Sequence, residues 1–397
     1  AARSLSEGAP CGGEGEHALW TDFTGKLAAA EDISGETRAA LQADAKAAIA
    51  GKVCPAYAAF ADAVAAMAPQ GREEGLWTTP GGKDAYADLV ELNLAERTDP
   101  EEIHRLGLSE VERLTGEIEA LEKELGLSGG PEAVQAFLNT SDETSLPNTD
   151  DGKAAYLAKA QAYIDAMTAR LSDYFAVAPK RPLIIRMGEI GSQYTTEEID
   201  GVNTGIYNLS TPRGERIGLD GLASLSYHEG VPGHHLQLSL AEELRDGPDL
   251  FARPFSAAFS EGWALYAERL AEEMGVYADD PYGRLGYLYS MRERAARLVL
   301  DTGLNYMEWT VADAEAYQQK VFGEAGGLRR YLNWPGQALG YYWGYLEWVR
   351  LREAAQEELG DGFDIRNFHI AALRHGSAPF EIIERVVDQW AEEAAAR

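Results

Sequence analysis

The stretch Ser226–Gln237, S-Y-H-E-G-V-P-G-H-H-L-Q, holds three of the chain's seven histidines: His228, His234 and His235. Glu229 directly follows the first. Zinc and similar ions take nitrogen and oxygen ligands at about 2 Å and favour four of them. Two histidines one turn apart on a helix supply two ligands from one face. A Glu after the first His stands where it can take a proton from metal-activated water. Here position 232, where the second His of H-E-x-x-H would fall, is Pro. In an unbroken helix the sixth residue after His228 is turned about 120° away, and the seventh returns to the same face about 10 Å along the axis. Pro232 cannot donate a helical hydrogen bond, and Gly230 and Gly233 permit unusual dihedrals. A two-residue bulge within Gly230–Gly233 is therefore expected to re-phase the helix. It would make His228 and His234 the metal ligands, with His235 the second choice and Glu229 the general base.

A third ligand is sought downstream. Ala257–Glu268 reads A-A-F-S-E-G-W-A-L-Y-A-E. Phe255, Phe259, Trp263, Tyr266 and Leu270 form an apolar stripe at helical spacing, and Ala264 and Leu265 extend it. A helix buried nearly all round leaves Glu261 and Glu268, seven residues apart on another face, in need of partners. Glu261 is expected to bind the metal, and Glu268 to orient a ligand or pair with an arginine. The segment Arg329–Tyr345 is dense in Tyr and Trp. An amide hydrolase needs a donor for the oxyanion that develops on the attacked carbonyl, and Tyr341 is the candidate. The other rings read as aromatic core. Arg297 and Arg330 are candidates for a substrate carboxylate, against the plainer reading of a salt bridge to Asp301 or another buried acid. His17, His104, His369 and His375 stand alone and read as structural or exposed.

Most of the chain that must hold these residues reads as amphipathic helix. Helices are expected over 35–50, 100–125, 152–176, 280–301, 310–322, 340–359 and 379–395. Thr98-Asp99-Pro100 is a capped start, and the Ser-Gly-Gly-Pro run ending at Pro131 closes one helix and opens another. Two β-prone runs, 182–187 and 205–210, flank a polar loop just upstream of the histidine motif. No internal repeat is present. Residues 1–70 are rich in Ala and Gly and read as a helical segment or lobe, and 71–397 as the main catalytic domain.

Composition excludes some functions. Against 35 Lys and Arg stand 65 Asp and Glu, a net charge of −30. Such a surface repels phosphate backbones, so no nucleic-acid partner is expected. No run reads as the roughly 18 apolar residues of a membrane span. The two cysteines, Cys11 and Cys54, form no C-x-x-C pair. In an exported protein they would form one disulfide; otherwise they are unrelated thiols. The start A-A-R-S-L matches a trimmed secretory protein or an excised segment. An exported, periplasmic or secreted protein is expected over a cytoplasmic one.

The motifs H-E-G-V-P-G-H-H-L-Q, F-S-E-G-W-A-L-Y-A-E and R-Y-L-N-W-P-G-Q-A-L-G-Y, in this order, resemble a large bacterial family known as domain of unknown function 885. The resemblance runs from about Gly75 to the C-terminus, with signposts at Gly75-Leu-Trp, Pro100–Leu108 and Arg297–Gly303. It implies a zinc metallopeptidase of gluzincin type. The layout is also similar to thimet-type oligopeptidases and Taq-type carboxypeptidases. That comparison implies His228, His234 and Glu261 as zinc ligands, Glu229 as base, and Tyr341 or Tyr345 facing the substrate carbonyl. It further implies a mainly α-helical fold with a deep cleft and a small sheet, in which 205–210 is an edge strand that pairs with bound peptide. Asn305 stands where this family tends to have His. The expected function is zinc-dependent hydrolysis of short peptides, by an exopeptidase or oligopeptidase. The alternatives are hydrolysis of N-acyl amino acids and a catalytically inactive binding protein.

Overall fold

The computed structural model describes residues 8–12, 15–30, 33–67, 74–188, 191–244 and 256–396. The chain divides into two compact units, Ala1–Glu73 and Glu74–Arg397, and is mainly α-helical. Phe255, expected in the apolar stripe, lies outside the described residues.

The first unit holds helices α1 (Ala18–Ala29), α2 (Gly35–Ala48) and α3 (Cys54–Met67), the last two joined through a π-helical turn. Cys11 and Cys54 form a disulfide with Cα atoms 5.7 Å apart, within the usual range. His17 is buried and caps α1, its Nδ1 accepting from the Leu19 amide at 3.2 Å. By length and composition the run Gly35–Ala66 is apolar enough to cross a membrane, with mean hydropathy 1.2 in its best window. The run is rich in alanine and also carries Glu36, Arg38, Asp44, Lys46, Lys52 and Asp62.

The second unit begins with α4 (Gly82–Leu94), α5 (Pro100–Glu124), α6 (Pro131–Thr140), the short strand β1 (Ser145–Pro147) and α7 (Asp150–Thr168). Strands β2 (Leu183–Gly188), β3 (Gln193–Ile199), β4 (Val202–Ser210) and β5 (Arg216–Gly218) follow. The rest is helical: α8 (Leu222–Glu229), α9 (His234–Glu243), α10 (Ala257–Glu273), α11 (Pro281–Asn305), α12 (Val311–Phe322), α13 (Arg329–Asn333), α14 (Leu339–Leu359), α15 (Ile365–Leu373) and α16 (Phe380–Ala395). The expected helices are all present. The one expected over 152–176 already ends at Thr168.

Local chemistry explains the main supports. Asp99 caps α5 by accepting from the Glu101 amide at 2.9 Å, with Pro100 in the first turn. Ile103, Gly107, Val111, Leu114, Ile118 and Leu121 form its buried stripe. At Gly107 a Cβ would lie 2.7 Å from the Leu298 Cβ, so glycine lets α5 close on α11. Helices α10 and α14 approach more tightly still. A Cβ at Gly344 would overlap the Ala258 carbonyl, and one at Gly262 would overlap the Gly344 backbone. This crossing brings Tyr341 of α14 within reach of the Glu261 charge on α10.

The three-stranded sheet runs β2-β4-β3, with β2 parallel and β3 antiparallel to β4. The polar stretch expected as a loop is therefore strand β3. Its turn into β4, Asp200-Gly201, has φ of 52° and 77°, the two positive values of a tight hairpin turn. β4 is the central strand and not the expected edge. Both sides of its backbone are hydrogen-bonded, which leaves no ladder for a peptide.

Candidate metal centre

Helix α8 ends at Glu229 and α9 starts at His234. The expected bulge in one continuous helix is thus a full break. Pro232 has no N–H to carry the ladder through. The His235 amide reseals the break by donating to the Gly230 carbonyl at 3.1 Å. Trp263 Nε1 of α10 donates to the Pro232 carbonyl at 3.0 Å and fixes the connecting loop. The loop tolerates only glycine at 233, where a Cβ would overlap the carbonyls of Tyr227 and His228.

The break brings His234 to His228, their rings 4.9 Å apart and nearly perpendicular. Glu261 Oε2 lies 3.4 Å from His228 Nε2 and 3.5 Å from His234 Nε2. These separations are long for hydrogen bonds. They match the edge of a tetrahedron whose ligands sit about 2.1 Å from a central ion, about 3.4 Å. The three ligand atoms lie within 4.8 Å of one another.

A second layer holds His228. Its Nδ1 meets Glu268 Oε1 at 2.8 Å. The other Glu268 oxygen accepts from Ser224 Oγ, and from Ser290 Oγ at 3.1 Å. Arg294 Nη1 in turn donates to Ser290 Oγ at 2.6 Å. Glu268 is two helical turns beyond Glu261 on α10, so one helix supplies both a candidate ligand and the group that would orient another. Burial opposes the Glu268 charge, but the His228 hydrogen bond and Arg294 hold its carboxyl below the usual range. Burial likewise opposes the charge on Glu261, and His228 and His234 outweigh it, so its carboxyl lies well below the usual range. His228 is pulled down by burial but lifted more by Glu261 and Glu268, to about 10.

His235, the second-choice ligand, points elsewhere. Its Nδ1 meets the Tyr194 hydroxyl of β3 at 3.2 Å. Burial and the Arg181 charge lower its pKa to about 4. Glu229 is buried beside His228. Tyr341 is half-buried between two guanidinium groups, with Arg297 at 4.4 Å and Arg330 at 5.6 Å from its ring centre. Burial and then the Glu261 charge raise its pKa, so the phenol keeps its proton as a donor. Arg297 pairs with Glu293 through Nε and Nη2 at 3.2 and 2.9 Å, not with Asp301. Glu293 also lines a cavity of about 700 Å³ between α6, α11 and α12. Asp301 instead accepts from the Tyr86 hydroxyl at 2.7 Å and the Gly336 amide at 2.8 Å, and burial lifts it to about 7. Arg330 donates to Gln337 Oε1 at 2.7 Å. The Tyr345 hydroxyl meets Arg269 at 3.4 Å, not the histidine cluster.

Other residues have structural duties. Asn305 accepts from the Leu76 amide and donates to the Asp301 and Tyr331 carbonyls. His104 and His369 are buried and hydrogen-bonded to Thr302 and Tyr266, and His375 is exposed. Sequence reasoning missed Ser224, Ser290, Glu293 and Arg294. The available signal was the spacing of Ser290, Arg294 and Arg297 along one face of α11.

The model of a family described as bacterial protein of unknown function (DUF885) matches residues 5–387. The chain belongs to this family. A DUF885-like fold is also seen in a solved structure titled a putative lipoprotein from Colwellia psychrerythraea. It has 32% identity and a TM-score of 0.88, over 95% of this chain and 67% of that one. A second, titled a putative lipoprotein of unknown function from Shewanella oneidensis, has 21% identity and a TM-score of 0.68, over 92% of this chain and 69% of that one. The search of curated proteins finds no match.

Proposed function

We propose that this DUF885 protein is a metal-dependent hydrolase, with zinc the expected ion, that cleaves amide bonds of short peptides. The observation that carries the reading is the His228–His234–Glu261 cluster, with Glu261 at tetrahedral spacing from both histidines and Glu268 fixing His228 from behind. The donor set, two imidazoles and a carboxylate, suits zinc and leaves a fourth position open. When bound, the ion would lower the pKa of water and polarise the substrate carbonyl. Glu229 would take the proton from the attacking water and return it to the leaving amine. Tyr341, protonated and half-buried, would donate to the oxyanion. Arg297 and Arg330 supply positive charge on the Tyr341 side.

An exported location is part of the proposal. The Cys11–Cys54 disulfide belongs to oxidising compartments, and both structural relatives are titled putative lipoproteins. A chelator should abolish hydrolysis of a short-peptide mixture, and one equivalent of zinc should restore it. Hydrolysis unaffected by metal removal would overturn the reading.

A further inference from the structure

Positive charge gathers around Tyr341. The chain has a net charge of −30, yet Arg294, Arg297 and Arg330 gather here with Glu293 as the carboxylate bonded to two of them. Arg330 is exposed, and no acid lies within ion-pair distance of it among the described residues. It is held instead by the neutral side chain of Gln337, itself buried. A neutral anchor fixes the guanidinium, and Glu293 and Asp301 feel its charge without forming an ion pair with it. Behind it, Arg297 Nη1 is buried without a hydrogen-bond partner. Both cations sit over the Tyr341 ring, and the Glu261 charge reaches its phenol.

We propose that Arg330 binds the free α-carboxylate of the residue that follows the scissile amide, so that the protein removes single residues from carboxyl termini. Arg297 acts as a positioning residue that keeps the Tyr341 ring and the local positive charge in place. The inference rests on the hydrolase reading for its chemistry, but the anion site itself stands on Arg330, Gln337 and Tyr341. Adjacent Cα atoms are 3.8 Å apart, so a carboxylate at Arg330 would place the preceding carbonyl near Tyr341. The α-carboxylate lies at a constant distance from the amide whatever the side chain, which suits a guanidinium held in one place. Arginine's planar fork matches a carboxylate with two hydrogen bonds.

The test uses matched substrates: an N-acetyl dipeptide with a free carboxylate, its C-terminal amide, and the corresponding N-acetyl amino acid. Native protein should cleave the free acid at least about 30-fold faster in kcat/KM than the amide, the range for losing a charged hydrogen bond. Arg330→Gln should remove that preference by slowing the acid alone, and Arg330→Lys should keep part of it. Cleavage of the N-acetyl amino acid would place the same carboxylate on a non-peptide acyl group. Equal cleavage of acid and amide, or an Arg330→Gln effect equal on both, would overturn the proposal. Calorimetry separates this from the hydrolase reading. N-acetyl-leucine should bind native protein, without added metal, more tightly than its amide, and Arg330→Gln should lose the difference. That result with no hydrolysis of any substrate would overturn only the hydrolase reading. Equal binding of acid and amide would overturn the anion site.

Discussion

At the scale of residues, the site depends on which histidine turns inward. Replacing His228, His234 or Glu261 by Ala should remove the bound ion in metal analysis, whereas His235→Ala should keep it, because His235 meets Tyr194. Glu268→Ala should weaken metal affinity about 10- to 100-fold, as loss of an orienting partner does. The pH dependence follows from His228. Its pKa in the metal-free fold is raised to about 10 by Glu261 and Glu268 against burial. The stability this contributes is complete below the ordinary value near 6.5 and is lost as pH rises through about 10. A metal needs the neutral ring, so binding at neutral pH must expel that proton. Affinity should therefore rise about tenfold per pH unit between about pH 6 and about pH 8, measured by competition with a chelator. A flat profile would mean that His228 is neutral before the metal arrives. The candidate ligands were legible from the sequence because His and Glu have restricted chemistry and Pro232 marks where the helix must break. The Glu268–Ser290–Arg294 relay was not, because it joins α10 and α11 through contacts that no short motif records.

At the scale of elements, the break between α8 and α9 and the crossing of α10 with α14 place the groups. Gly344→Ala would drive a methyl into the Ala258 carbonyl. The expected cost is about 1–3 kcal/mol in denaturant unfolding, with a fall in kcat as Tyr341 moves off Glu261. An unchanged melt would mean that the helices separate without cost. Helices were readable from capping and periodicity, as at Asp99-Pro100 and along the α5 stripe. The sheet was read less well. The Asp200-Gly201 hairpin signal was present, but Gln193–Ile199 is polar and only partly buried, so its alternation carries little apolar contrast. The place of β4 in the centre follows from pairing across the sheet, which sequence pattern does not encode. Pro232 marks the interruption in the sequence itself. Whether a helix bulges or stops there is decided by tertiary contacts such as Trp263 to Pro232.

At the scale of the whole molecule, the charge of −30 makes self-repulsion a general cost to the folded state. Added salt should raise the melting temperature by screening it, which a thermal scan across ionic strength would show. In the first unit the disulfide closes 43 residues, worth about 4 kcal/mol in the chain-entropy description. Reduction should accordingly speed amide exchange in α2 and α3. The account as a whole rests on Glu229 acting as base at a metal held by His228, His234 and Glu261. The most direct measurement is a digest of a short-peptide library by native protein and by Glu229→Gln at equal bound metal. The account predicts cleavage by the native protein and at least about a hundredfold loss in the variant. Cleavage that survives Glu229→Gln undiminished would contradict it.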